Sequence, residues 1–83
     1  MNQSDIQRII NLKMQLDSVT NVIERERLIR QEIQRLRNVG KTDAEIKKLF
    51  QYDKVMEAQD TSAMIQNHKE YVDIANKILA EKK

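Results

Sequence analysis

The sequence predicts an all-α protein: a long N-terminal helix with a coiled-coil-like seam, then two or three shorter helices, arranged as a helical hairpin or bundle. Three observations carry this. The 83 residues include one Gly, no Pro and only three aromatic residues, which leaves little material for sheets, hairpins or long loops. Apolar residues recur every three or four positions through most of the chain, the spacing that lines one side of an α-helix. Helix start signals, a Ser, Thr or Asn followed three residues later by Glu or Gln, stand at Ser4, Asn21 and Thr42.

The first element is read as one helix over residues 4–38. Ser4 with Gln7 forms a capping pattern, and Asp5 falls in the first turn, where the helix dipole favours an anion. Ile9, Leu12, Leu16 and Val19 then make a heptad-like seam. The step from Val19 to Val22 repeats a three-residue spacing, a stammer that overwinds a coiled coil. Beyond it the seam resumes as Val22, Glu26, Ile29, Ile33 and Leu36, with one charge at a core position. Asn21 with Glu24 would also permit a break near 18–21. The absence of Gly and Pro there favours continuity. At ~1.5 Å per residue such a helix would be about 50 Å long, more than a globule of this size is wide.

Gly40 is the only glycine and fits the left-handed position that closes a helix, with Arg35 and Arg37 in the turn before it. Thr42, with Asp43 and Glu45 behind it, starts a second helix over 42–51 whose apolar face is Ile46, Leu49 and Phe50. The phase fails at 51–53, so Asp53 is read as capping a short segment over 53–59. A final helix over 62–81 carries a wide stripe that includes Met64, Ile65, His68, Tyr71, Val72, Ala75, Ile78 and Leu79. The whole is one small domain over 1–83.

Composition restricts the function. Without Cys there is no disulfide framework and no thiolate chemistry. A mean hydropathy of −0.71 and the lack of any long apolar run predict neither a signal peptide nor a membrane span, and make the cytoplasm the expected compartment. Abundant Asn, Gln, Lys and Ile fit a microbial or phage source. The net charge of +2 is small, but five of the six arginines (Arg25, Arg27, Arg30, Arg35, Arg37) fall within residues 25–37, interleaved with Glu24, Glu26 and Glu32.

No catalytic, cofactor or metal site is expected. Gly40, Lys41 and Thr42 spell the tail of a phosphate-binding loop, but Arg35 stands where the pattern needs its first glycine, and a helix precedes it in place of a strand. His68 is the only histidine and lies on an apolar stripe. It reads as a semi-buried packing residue with one ring nitrogen bonded. Asp43 with Glu45, and Asp53 with Glu57, have no apolar surroundings that would separate their titrations, so capping and solvation account for them. Residues 42–58 open like a helix-turn-helix with Thr-Asp-Ala-Glu-Ile. They depart from it at Lys47, where a small residue belongs, and at Gln51 and Tyr52, where a turn residue belongs.

Two expectations about partners follow. The leading one is a protein–protein interaction module, an adaptor, inhibitor or assembly factor acting by stoichiometric binding. In this reading Ile9, Leu12, Leu16 and Val19 find no partner inside their own chain, and so bind a second copy (a dimer or higher oligomer) or another protein. The alternative is a dimeric nucleic-acid binder that uses Arg25, Arg27, Arg30, Arg37 and Lys41, with Lys47 and Lys48 nearby.

Overall fold

A computed structural model describes residues 3–52 and 65–81. They form four helices: α1 (Gln3–Leu16), α2 (Val22–Asn38), α3 (Asp43–Gln51) and α4 (His68–Ala80). No strand occurs among the described residues, so the chain has the all-α class that its composition and periodicity predict.

The long N-terminal helix does not form. The chain leaves the helix after Leu16 and re-enters it at Val22. The last carbonyls of α1 are taken by a tightened turn, with Ser18 N–H donating to Gln15 O at 3.0 Å and Val19 N–H to Leu16 O at 2.9 Å. Asn21, in an extended conformation, then caps α2, its side-chain oxygen accepting from the N–H groups of Ile23 and Glu24. No non-glycine residue here has positive φ, so the connection needs neither Gly nor Pro. The Asn21 cap was the correct signal and the missing glycine was not a valid objection. On an unbroken helix Arg8 and Glu32 would lie ~36 Å apart at ~1.5 Å per residue. In the structure they meet at 3.1 Å.

Folding back puts the seam to internal use. Ile6, Ile9, Ile10 and Leu16 of α1 are buried against α3, whose own Ile46, Leu49 and Phe50 are wholly enclosed. Helix α4 packs across both α2 and α3, closing the core with Tyr71, Ala75 and Ile78 over Ile29, Ile33 and Leu36. Each fully buried aliphatic side chain contributes about 1.5–3 kcal/mol of transfer free energy. The longest dimension is 40 Å, shorter than the continuous helix would require.

Helix α2 ends as Gly40 predicts. Gly40 has φ 96°, its N–H donates to Arg37 O, and the N–H of Lys41 donates to Leu36 O, the paired bonds of a Schellman turn. Thr42 caps α3 with both arms of a capping box: Glu45 N–H donates to Thr42 Oγ1, and Thr42 N–H donates to the Glu45 carboxylate. Two helix starts need correction. Helix α1 already includes Gln3, so Ser4 lies inside its first turn and is not the cap. Helix α4 begins at His68, later than predicted, because residues 65–67 are non-helical and the N–H of Gln66 is drawn to the Asp17 carboxylate at 2.9 Å. The segment expected over 53–59, and residues 62–64 of the last helix, lie outside the described residues.

Candidate interaction surface

The residues expected to form an intermolecular seam are largely core. Ile9 and Leu16 have no exposed surface, and Leu12 and Val19 are half-buried, Leu12 packing on the core cluster. The chain supplies the partner that the seam was thought to lack, because the break at 17–21 lets α1 lie on α3. The reason for expecting a second copy at these four positions is removed.

The basic face is also engaged. Arg25 donates to Val19 O at 2.6 Å, pairs with Glu70 at 2.7 Å and lies 5.6 Å over the Tyr71 ring. Arg27 pairs with Glu24, and Arg30 with both Glu26 and Glu81. Arg37 meets Asp43 at 2.9 Å and Lys41 meets Asp5 at 3.2 Å. Hydrogen bonds donated to Glu81 and then to Glu26 raise the Arg30 guanidinium above its ordinary range, while Arg30 holds the Glu81 carboxyl below the usual carboxylate range. All five cations proposed to contact phosphate thus have a carboxylate partner within the chain. Exposed pairs of this kind contribute little to stability. Their effect is on the surface field, since every guanidinium that faces solvent brings an anion with it.

Among the described residues, buried charge is found at two places. Glu32 is nearly buried in α2 and accepts from Arg8 at 3.1 Å and from Arg35 at 2.7 Å. The hydrogen bond that Arg35 donates to it raises that guanidinium above its ordinary range. The second place is Lys13, one residue beyond Leu12 of the predicted seam. It has no exposed surface. Its Nζ donates to the carbonyl oxygens of Phe50 and Tyr52, the latter at 2.6 Å, and lies 3.0 Å from His68 Nδ1. Lys13 therefore closes the C-terminal end of α3 and ties it to the start of α4, where a cation is favoured by the α3 dipole. His68 is half-buried with one ring nitrogen engaged, as predicted. Nothing in the heptad-like spacing distinguishes Lys13 from an exposed lysine. The one available clue is that it falls one position after Leu12, on the side of α1 that Ile6, Ile9 and Ile10 also face once the helix folds back.

Two features of the described surface stand out. Between α1 and α2 lies an open groove of about 510 Å³ lined by Ser4, Gln7, Arg8, Asn11, Leu12, Gln15 and Glu32. It is largely amide and ionic, with Leu12 as its apolar element. At the start of α2, Ile23 is 80% exposed and the adjacent Val22 60%. On the preceding helix Met14 is 42% exposed. Val22 was expected to continue the seam, but the break turns the first turn of α2 outward. Ile23 and Met14 lie off the predicted seam and stay exposed, whereas the outward aim of Val22 depends on the break.

Among the described residues, no group of three or more His, Cys, Asp or Glu side chains is placed to hold a metal ion, and no helix is long and apolar enough to cross a membrane. Comparison with protein-family models, curated proteins and solved structures found no match to this chain.

Proposed function

We propose that this chain is a small helical interaction module that acts by stoichiometric binding to another protein, through the apolar side chains at the start of α2. The observation that carries this reading is the pair Val22 and Ile23, adjacent and exposed at 60% and 80% in a chain whose other isoleucines are buried or packed against the core. Apolar groups left in water on a stable helix turn give association a driving force of about 25 cal/mol per Å² covered. The groove floored by Leu12 offers amide groups that could orient a partner.

Internal pairing of Arg25, Arg27, Arg30, Arg37 and Lys41 weighs against a nucleic-acid interface. A phosphate would have to displace a carboxylate at each position and then sit beside it.

Affinity capture from the source cells, with wild type, Ile23→Asp and the double variant Arg27→Ala/Arg37→Ala, tests the proposal. The expected result is a protein retained in fixed ratio by wild type and by the arginine variant, lost with Ile23→Asp, and little changed by salt. Nucleic acid retained by wild type, released log-linearly with salt and lost with the arginine variant would contradict it.

A further inference from the structure

We propose that residues 17–21 are a hinge about which two copies of this chain exchange α1, the straightened joint running α1 and α2 into one helix. Three observations meet at the joint. It contains no Gly, no Pro and no positive φ, so each of its residues can enter a helix unaided. The apolar seam of α1 continues through the joint with a stammer, and its next position is Val22, which the folded-back chain leaves 60% exposed. Finally, α1 is paired with α2 symmetrically about the joint: Arg8 meets Glu32 at 3.1 Å, and the two are equally far in sequence from Thr20.

That symmetry is what a second copy needs. Two straight helices laid antiparallel about Thr20 set Arg8 of each beside Glu32 of the other. Every contact that α1 makes inside the folded-back chain is then remade with the second copy, so exchange keeps the core and its ion pairs. Only the joint differs. Folded back, it is held by the tightened-turn bonds of Ser18 and Val19 and by the Asn21 cap on Ile23 and Glu24. Arg25 adds a bond to Val19 O at 2.6 Å. Straight, the joint loses these and gains the ordinary helical ladder, each N–H donating to the carbonyl four residues back. Ser18, Thr20 and Asn21 are exposed and are poorer helix formers than alanine, so this sequence favours the folded-back monomer.

The test uses the purified chain alone, so its outcome is separate from that of the capture experiment above. The triple variant Ser18→Ala/Thr20→Ala/Asn21→Ala favours a straight joint, and Asn21→Ala does so with one exposed change. Sedimentation over a range of concentration reads the mass. Nitroxide labels on Gln7→Cys/Gln31→Cys read the distance within one chain when labelled protein is diluted in excess unlabelled chain of the same variant. The dimerisation constant of the triple variant should exceed that of wild type by about a thousandfold, because two joints change together and each trades a cap for helix propensity. Inside each chain of the dimer the labels should stand about 36 Å apart at ~1.5 Å per residue, with helical circular dichroism retained. Both variants remaining monomeric, or a dimer whose labels stay as close within each chain as in the wild-type monomer, would overturn the exchange. If the triple variant fails to fold, Asn21→Ala alone decides.

Discussion

Replacing Leu16 by Ala separates a seam that stabilises this chain from one that binds a second copy. Leu16 is the last residue of α1 and has no exposed surface. Truncating a fully buried leucine removes its transfer free energy and leaves a cavity, together costing about 2–5 kcal/mol. At roughly 0.05–0.15 kcal/mol per residue, a chain of 83 residues has ~4–12 kcal/mol of stability in total. Leu16→Ala should therefore remove a large share of it and lower the urea midpoint steeply. Leu12→Ala, at a half-buried position beside the open groove, should cost about 1 kcal/mol. The assay is urea unfolding followed by helical circular dichroism, repeated over a hundredfold range of protein concentration. The wild-type midpoint should not move with concentration, because a core made within one chain is insensitive to mass action. If Leu16→Ala keeps the wild-type midpoint but changes the sedimenting mass, the seam is intermolecular and the reasoning fails.

Gly40→Val should cost about 1 kcal/mol or more, although a Cβ would meet nothing within 4 Å, because φ 96° strains any β-branched residue. Lys41→Ala loses only a partly exposed pair with Asp5 and should change the same denaturant melt by a few tenths of a kcal/mol. Asn21→Ala removes the acceptor for two N–H groups and should cost about 1 kcal/mol in a thermal melt, whereas an unbroken helix would be stabilised by the same change. The Glu45 carboxyl is held below its ordinary range by the Thr42 N–H and then by the Thr42 hydroxyl. Its contribution to α3 is thus present above the ordinary carboxylate range and is lost as pH falls through the lowered value. Carbon NMR of the Glu45 carboxyl should show the low midpoint, and Thr42→Ala should move it up toward the ordinary value.

Local chemistry was legible in the sequence where it acts on the residues that carry it. The Gly40 turn, the Thr42–Glu45 box and the buried face of α3 need only neighbours within one turn, and the structure shows each of them. The break at 17–21 was written in Asn21, yet a seam that continues with the right period on both sides of a stammer looks the same whether it runs straight or folds back. Periodicity records which residues are apolar on one side and leaves open what covers that side. Burial of Lys13 and exposure of Val22 followed from the same unresolved choice. The arginines illustrate a further limit. Glu26→Arg30 could be paired from spacing alone, but Glu70, Glu81 and Asp43 reach Arg25, Arg30 and Arg37 only after the helices are placed.

The fold-back of α1 against the rest of the chain is what makes the seam internal and turns Val22 outward. The chain contains no cysteine, so Gln7→Cys with Gln31→Cys, two exposed positions one residue before Arg8 and Glu32, gives a uniquely labelled pair. The distance between nitroxide labels is measured with excess unlabelled chain, so that only separations within one molecule contribute. Contact between Arg8 and Glu32 at 3.1 Å predicts a separation under about 20 Å once two label arms are allowed, whereas a continuous helix at ~1.5 Å per residue places the labels about 36 Å apart. A short distance supports the account, and a distribution centred near the longer value would contradict it.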